Sequence, residues 1–491
     1  MRILYLDLDT LRPDHLGCYG YQRDTSPNID RIAAEGMRFE SCYCSDAPCL
    51  PSRAALTTGQ FGIHNGVVNH GGTCADRPPD GINRGFRDTL STGGSLVNVL
   101  RDAGLHCCYF GGFGERHSAY WYYAGFHEIH DTAGYGMESA ENVTPGVLDW
   151  IHRNGARDNW YLHINYWDAH TPYRAPETFG NPFADTPLPH WMTPELLARH
   201  RQMAGPHTAQ DINMYNNKTD PAYPRHPGEL TDMAAFRTLM DGYDCGIRYM
   251  DAHIGQLFDA LARHNILDEL VVVISADHGE NFGELGIYAE HGTADHATCR
   301  VPFIVRWPGL VDAGTRDTGL HYQLDWLPTL AELLDRPAKP WWDGQSFAAT
   351  LCNGADTGRS MLVLSQCCHV CQRSVRWGDY LYMRTWHDGF HLFPDEQLYN
   401  LADDPQEQQD IAAVQPALRQ QGADCLAHWH EQMLASMPEG RTQEPLQVVL
   451  EEGGPFHARG HLRSYLERLK SSGRAEAAAE LARRHPSELR D

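Results

Sequence analysis

The sequence predicts an α/β fold in which helices flank a large mixed, mostly parallel sheet, followed by a smaller C-terminal α+β subdomain. Three observations support this prediction. Short apolar runs alternate with amphipathic runs, four of the apolar runs end in polar side chains, and the character of the chain changes after about residue 350. The 491 residues are therefore divided into a main domain over 1–355 and a subdomain over 356–491.

Helix boundaries in the main domain carry clear local signals. Ser26 and Pro27 suit the start of one helix, and Ser95 and Gly104 suit the two ends of another. Apolar residues recur at spacings of three and four from about 232 to 264, which predicts one long amphipathic helix.

Four apolar runs typical of buried strands each lead into polar side chains. In chain order they supply Asp7 and Asp9, then His117, then Asp168 and His170, then Asp277 and His278. Ligands of parallel sheets bind outside the carboxyl ends of the strands, so we expect these side chains to form one shared site. The alternative is that each Asp and His only begins a turn, which is common for a single strand end.

Later apolar runs predict the remaining sheets. The run RVPFIVRWPG predicts one more strand of the main sheet over 300–309. The runs SVRWGDYLYMRTW and EQLYNLADDPQEQQDIA are typical of short antiparallel strands followed by a helix, and they belong to the subdomain.

Composition excludes several classes of function. The net charge of −24 argues against a nucleic-acid partner, because phosphate binding needs a basic face. No window approaches about twenty apolar residues, so no membrane span is expected. Asp7 and Asp9 interrupt the first apolar run too early for a signal peptide, and we expect a cytoplasmic protein. The 14 cysteines are then expected to be reduced thiols.

The segment QCCHVCQ raises the question of a zinc site. It contains Cys367, Cys368, His369 and Cys371, which are zinc-binding residue types. A structural zinc site needs a second ligand pair at a suitable spacing, and no such pair is evident. We therefore favour packed thiols over zinc here.

The segment SDAPCLPSRAALTTGQ places Cys49 where a loop enters a helix that begins at Pro51 or Ser52. The amino end of a helix is positive and favours an anion. Arg53 follows four residues later, and its guanidinium suits a tetrahedral oxyanion. The residues thus predict an anion site beside a sulfur atom, whereas an isolated cysteine of this kind is more often simply buried.

The same segment resembles the signature of the sulfatase family, within the alkaline phosphatase-like superfamily. The match comprises Cys49, Pro51, Ser52 and Arg53, followed by Ala54, Ala55, Leu56, Thr57, Thr58 and Gly59. Further blocks resemble the family in the same order. They are DTLRPDHLGCYGY, TSPNIDRIAAEGMRF, DAHTPY, SADHGE, RVPFIVRWPG and LYNLADDPQE, and together the blocks span roughly residues 1 to 410.

The resemblance implies an alkaline phosphatase-like fold and a sulfuric ester hydrolase in which Cys49 is a precursor. In the family, a formylglycine-generating or anaerobic maturation enzyme oxidises this cysteine to formylglycine, an aldehyde that hydrates to a gem-diol. One hydroxyl attacks sulfur and forms a covalent sulfate ester. Deprotonation of the other hydroxyl then expels sulfate and restores the aldehyde, so release needs no second attack by water.

The resemblance also implies a divalent metal. Asp9, Asp277 and His278 match family metal positions, and residue 49 completes the set. Asp7 is a further candidate ligand, because residues two apart on a strand share a face. Carboxylates favour Ca²⁺, which is our first expectation, and the imidazole of His278 admits Mn²⁺ as the alternative.

Three histidines match positions that act on the substrate in the family. His117 corresponds to a histidine that contacts the nucleophile, and His170 to one that protonates the leaving oxygen. His291 lies near the position of a family lysine. A second family lysine is replaced by Glu115, and the adjacent Arg116 is expected to supply its charge. Each histidine also has the simpler interpretation of a hydrogen-bonded polar residue.

The predicted substrate is a sulfated carbohydrate, since the natural substrates of the family are mostly sugars. The Gly-rich segment FGIHNGVVNHGG over 61–72 is a candidate substrate loop. Because Asp277 is followed by histidine, as in phosphonate hydrolases of this superfamily, a phosphonate monoester or phosphodiester hydrolase is the alternative. A non-catalytic anion-binding protein is the third hypothesis, and an oligomer remains open.

Overall fold

The computed structural model describes residues 1–76, 94–438 and 443–490. Its centre is an eight-stranded sheet. From edge to edge the strands are β11 (Thr315–Tyr322), β2 (Met37–Tyr43), β10 (Arg300–Arg306), β7 (Val271–Ser275), β1 (Arg2–Leu8), β6 (Trp160–Tyr166), β4 (His106–Phe110) and β5 (Glu128–His130). Strand β10 is antiparallel to both of its neighbours, and the other pairs are parallel. The prediction of a large, mostly parallel sheet is confirmed.

The four strands whose polar ends were singled out are neighbours in the middle of this sheet. They run β7, β1, β6, β4, and all are parallel. Asp7 in β1 is level with Ser275 in β7 and Asn165 in β6, so the carboxyl ends of these strands lie side by side. The shared edge expected from the sequence is therefore present.

Helices surround the sheet. Those of the main part are α1 (Pro27–Ala34), α2 (Cys49–Thr58), α3 (Gly62–Asn65), α4 (Leu96–Asp102), α5 (Phe113–Arg116), α6 (Ala140–Asn154), α7 (Pro194–His200), α8 (Met233–Arg263), α9 (His296–Cys299), α10 (Trp326–Leu333) and α11 (Ala348–Asn353). The long predicted helix is α8. Ser95 caps α4 by accepting from the backbone of Asn98. Ser26 precedes α1 but does not cap it, because its hydroxyl donates to the carboxylate of Asp30 instead.

A second, five-stranded sheet forms the smaller part of the molecule. Its order is β15 (Glu396–Asn400), β14 (Tyr380–His387), β13 (Cys371–Trp377), β12 (Met361–Gln366) and β3 (Asp46–Ala47). Helices α12 (Pro416–Ala435), α13 (Pro445–Glu451), α14 (Leu462–Ser471) and α15 (Ala475–Arg484) follow it in the chain. The smaller α+β part is thus confirmed, whereas its boundary at 355/356 remains a prediction.

Strand β3 matters for the site because it belongs to the second sheet and lies only one residue before α2. The turn that carries Cys49 is thereby held between the two sheets. A two-stranded ribbon, β8 (Asn281–Phe282) with β9 (Tyr288–Glu290), follows β7. Among the described residues, no helix is both long and apolar enough to cross a membrane.

Candidate active site

Cys49 is the first residue of α2 and is almost fully buried. The helix begins two residues earlier than Pro51, because the backbone N–H of Ser52 donates to the carbonyl of Pro48 over 3.0 Å. The hydroxyl of Ser52 donates to the carbonyl of Asp277 over 2.6 Å, which ties the start of α2 to the residues that follow β7. The positive end of α2 therefore lies at the carboxyl edge of the main sheet.

Arg53 binds three carboxylates at this edge. Its Nε and Nη2 donate to the two oxygens of Asp7 over 2.8 and 3.0 Å. Its Nη1 lies 2.9 Å from Asp9 Oδ2 and donates to Asp277 Oδ2 over 2.5 Å. The guanidinium also lies over the rings of Phe113 and Trp167. The sequence predicted that Arg53 would hold a substrate oxyanion, and in the structure its donors face these carboxylates.

The cluster of Asp7, Asp9, Asp277 and Arg53 carries more negative than positive charge. Burial raises the pKa of Asp277 well above its ordinary value, and the carboxylates of Asp9 and Asp7 add to this although Arg53 opposes it. Three buried carboxylates with one guanidinium leave an excess of negative charge that is costly without a further cation. A divalent cation matches this excess.

Four side chains form a ligand set for such a cation. The ligand atoms of Asp9, Cys49, Asp277 and His278 all lie within 4.8 Å of one another, and all four residues are buried. His278 Nδ1 is 2.9 Å from the carbonyl of Gly279 and donates to it, so Nε2 keeps its lone pair. That Nε2 lies 3.0 Å from Cys49 Sγ, and Asp9 Oδ2, although in an ion pair with Arg53, accepts no hydrogen bond from the described residues. The carboxylate oxygens, the sulfur and the imidazole nitrogen of this set fit a divalent metal.

Asp7, predicted as a further ligand, lies outside this set. Both of its oxygens face Arg53, and one is 3.3 Å from Nε2 of His163. Asp7 is still within β1, whereas Asp9 is beyond the strand end. Asp7 and Asp9 share a face of the strand, but Asp7 lies further from its carboxyl end. This placement argues against Asp7 as a metal ligand.

His291 lies directly against the ligand set. Its ring centroid is 4.0 Å from that of His278, and its ligand nitrogen is grouped with Cys49 and His278. Nε2 of His291 is 3.0 Å from Glu290 Oε1. Burial lowers the pKa of His291, but the Glu290 carboxylate together with hydrogen bonds to Cys49 and Glu280 raises it well above its ordinary value. A raised pKa favours the charged form of the ring, so His291 would bring a positive charge close to Cys49.

His170 borders the same space. Its ring centroid lies 5.4 Å from that of His291, and its Nδ1 donates to the carbonyl of Thr171 over 2.5 Å. Burial, followed by the charge of Arg116, lowers the pKa of His170 well below its ordinary value. The ring is therefore neutral in the free site.

His117 reaches Cys49 from the other side. Cys49, His70 and His117 form a second close group, and Nε2 of His117 has no hydrogen-bond partner among the described residues. Burial and then Arg116 lower the pKa of His117. Arg116, whose guanidinium lies over the Trp167 ring, is close enough to lower the pKa values of both histidines.

Some site residues were not singled out as catalytic from the sequence. Glu290 immediately precedes His291, and this adjacency in the sequence could have indicated that the carboxylate is a partner of the histidine. His70 belongs to the predicted substrate loop and does reach Cys49, whereas His64 of the same loop is held by Asp343 at 2.8 Å. Cys367 and Cys371 pack with Cys74 in a buried apolar cluster.

The geometry can be compared with known proteins. The sulfatase family model matches residues 2–336, about two thirds of the chain. The chain belongs to the sulfatase family. The family consists of sulfuric ester hydrolases, so this protein is a hydrolase of that class.

Relatives and solved structures agree with this assignment. The sulfatase is 25% identical to the choline-sulfatase of Rhizobium meliloti over 451 residues, which cover 82% of each chain. It resembles the structure of BT4656 in complex with D-glucosamine-2-N,6-O-disulfate with a TM-score of 0.71 at 17% identity, covering 90% of this chain and 99% of that one. The phosphonate monoester hydrolase of Agrobacterium radiobacter matches with a TM-score of 0.68 at 18% identity, covering 88% and 96%. At these identities the structural matches show the shared alkaline phosphatase-like fold.

Proposed function

We propose that this sulfatase removes sulfate from a sulfated carbohydrate and that Cys49 is converted to formylglycine before the enzyme works. The observation that carries the proposal is the buried group of Cys49, Asp9, Asp277 and His278 at the amino end of α2. Burial, with help from the two carboxylates, raises the pKa of the Cys49 thiol to about 12. A neutral buried thiol is a weak nucleophile, which supports a precursor rather than a reactive cysteine.

In the proposed site, a bound divalent cation supplies the charge that activates an oxygen nucleophile, and formylglycine supplies the hydroxyls. Asp9, Asp277, His278 and residue 49 would hold the cation. Ca²⁺ remains our first choice because of the carboxylates, and Mn²⁺ is the alternative because of the imidazole. Metal analysis of the purified enzyme distinguishes them.

The remaining side chains bind the sulfate group and move protons. The cationic ring of His291 would attract a sulfate oxygen, and the charge of Arg116 would add to the attraction. His117 would accept a proton from the nucleophile at residue 49, because its Nε2 is buried and has no partner among the described residues.

His170 would donate a proton to the leaving oxygen. It is neutral in the free site, and a nearby bound anion raises the pKa of a histidine. Substrate binding would therefore charge His170 before it acts as an acid.

A carbohydrate substrate is supported by the D-glucosamine-2-N,6-O-disulfate that one structural neighbour, BT4656, holds as its substrate. The choline-sulfatase relative and the phosphonate monoester hydrolase neighbour define the competing classes. His278 is the residue that keeps a phosphonate monoester or phosphodiester hydrolase as the second candidate.

The test compares turnover of glucosamine 6-sulfate, choline sulfate, 4-nitrophenyl sulfate and a phosphonate monoester by enzyme produced together with a maturation enzyme. We expect the highest kcat/KM for the sulfated sugar. A higher kcat/KM for the phosphonate would support the second candidate, and a higher value for choline sulfate would contradict the carbohydrate assignment.

A further inference from the structure

A second group of candidate metal ligands lies beside the active site, and only Glu290 among them has a part in the proposed chemistry, through His291. His207, Glu290 and His369 have ligand atoms within 4.8 Å of one another. Their exposed fractions are 8%, 8% and 5%. His207 lies in the loop after α7, Glu290 ends β9, and His369 lies in the turn between β12 and β13. Three segments distant in sequence thus converge on one buried point.

The hydrogen bonds of His207 fix which nitrogen can bind a metal. Its Nδ1 lies 2.8 Å from the carbonyl oxygen of Ile212 and donates a proton to it. In the neutral ring, Nε2 therefore carries a lone pair. That Nε2 is 3.0 Å from Glu290 Oε2, so a nitrogen with a lone pair lies beside a carboxylate oxygen. Two acceptors at this distance repel unless a cation or a proton lies between them.

A proton on Nε2 does not satisfy this contact. Nε2 of His207 has no hydrogen-bond partner among the described residues, although Glu290 Oε2 is close, because the N–H direction does not point at the oxygen. A metal ion on the Nε2 lone pair need not lie on the line from nitrogen to oxygen, because two ligands of a tetrahedral ion make an angle of about 109° at the metal. The geometry therefore favours a cation placed among the three side chains over a simple imidazolium–carboxylate pair.

The separations also match a metal site. Two ligands that each lie about 2.1 Å from a tetrahedral zinc ion are roughly 3.4 Å apart. The Nε2 atoms of His207 and His369 are 3.0 and 3.7 Å from the Glu290 oxygens that they face. His278 in the first site shows the same arrangement, with Nδ1 bonded to a carbonyl and Nε2 facing the other ligands.

We propose that His207, Glu290 and His369 bind a transition-metal ion, with Zn²⁺ as the first choice, at a second site distinct from the Asp9, Asp277 and His278 set. Two imidazoles and one carboxylate suit zinc, whereas Ca²⁺ prefers six to eight oxygen ligands. Three protein ligands leave a fourth position open for water or for an anionic substrate group.

This second site is linked to the first by one side chain. Glu290 faces His207 through Oε2 and the active-site residue His291 through Oε1. An ion bound at the second site would therefore fix the carboxylate that holds His291. It would also tie the loop after α7 to the turn of the second sheet.

Metal stoichiometry tests the proposal without any measurement of activity. Enzyme stripped with a chelator is dialysed against excess Zn²⁺ or Co²⁺, and bound metal is counted by mass spectrometry. We expect two ions per wild-type chain, one per chain in the His207→Ala, His369→Ala double variant, and one per chain in the Asp9→Asn, Asp277→Asn double variant. The Co²⁺ form of the latter should show the visible absorption of nitrogen-ligated, low-coordinate cobalt.

His200→Ala is the matched control, because His200 is equally buried but is bound to Tyr288 and Gln408 instead of Glu290. It should keep two ions. The proposal is overturned if the wild type binds one ion that the Asp9 and Asp277 substitutions remove, or if the His207 and His369 substitutions leave two. If that double variant does not fold, the wild-type count and the cobalt spectrum of the Asp9→Asn, Asp277→Asn variant decide the question alone.

Discussion

Two clusters in this sulfatase join cations to carboxylates, and they differ in burial and in their balance of charge. At the edge of the main sheet, Arg53 alone serves Asp7, Asp9 and Asp277. In the C-terminal part, each carboxylate of the cluster has a cationic partner. His485 lies 2.8 Å from Asp388 and 3.2 Å from Glu488, and Arg484 lies 3.3 Å from Asp388.

The difference separates a binding site from a stabilising contact. In the C-terminal cluster each carboxylate has a cationic partner, so we expect the cluster to contribute to the stability of the fold. The sheet-edge cluster is incomplete without a further cation, and a fold retains buried excess charge of this kind where it binds an ion. Substitutions in the sheet-edge cluster should therefore lower catalytic activity, whereas substitutions in the C-terminal cluster should change stability alone.

The largest expected effect is that of Cys49→Ala. Loss of the residue that provides the nucleophile should lower kcat/KM on the order of 10⁴-fold or more. Metal binding should persist, because Asp9, Asp277 and His278 remain. The variant Cys107→Ala, at a buried cysteine in β4, is the control and should keep full activity. Turnover by Cys49→Ala close to that of the wild type would refute the central role of residue 49.

His170→Ala should have a smaller effect that depends on the leaving group. General acid catalysis is worth about 10² to 10⁴ in rate. We expect kcat for a sugar sulfate to fall by about 10²-fold or more, whereas 4-nitrophenyl sulfate, whose leaving group needs no proton, should lose much less. An equal loss for both substrates would show that His170 is not the acid.

The variants Asp7→Asn and Asp9→Asn test which of the two carboxylates binds the metal and which only pairs with Arg53. Asp7→Asn removes one partner of a buried ion pair and should lower the free energy of unfolding by about 3 kcal/mol, measured by denaturant titration. It should keep the metal, since Asp7 faces Arg53. Asp9→Asn should lose the metal. If both variants lose it equally, Asp7 is a ligand after all.

The smallest effect is expected at His485. Burial opposes its charge, but the hydrogen bonds to Asp388 and Glu488 raise the pKa of His485 from 6.5 to about 9. The stability that this pair contributes should be complete below pH 6.5 and be lost as the pH rises through about 9. The cluster is partly exposed, so the contribution is at most about 1 kcal/mol.

Thermal melts at several pH values test this expectation. His485→Gln should show a flatter fall of Tm between pH 6.5 and 9 than the wild type, and the exposed control His428→Gln should follow the wild type. A parallel fall in all three proteins would mean that the pair contributes nothing.

The sequence predicted the sheet-edge cluster because its members follow strands that pair directly. Asp9, Asp277 and His278 are each attached to a strand end, and parallel strands bring those ends together. For Asp7, a periodicity of two gives the face of the strand but not the depth at which the side chain lies, so its assignment as a metal ligand stays a prediction.

The second histidine group could not be predicted in the same way. His207 lies in an irregular loop and His369 in a turn of another sheet, so no local pattern connects them to Glu290. In the sequence, His369 stands among neighbouring cysteines, and only the folded chain shows that its Nε2 is 3.7 Å from Glu290.

The most direct test of the proposed mechanism is the mass of the peptide that contains residue 49, taken from enzyme produced together with a formylglycine-generating or anaerobic maturation enzyme. We predict the mass of an aldehyde in place of the thiol, in a fraction of chains that rises together with the specific activity. An active preparation in which residue 49 is entirely an unmodified cysteine would contradict the proposed mechanism.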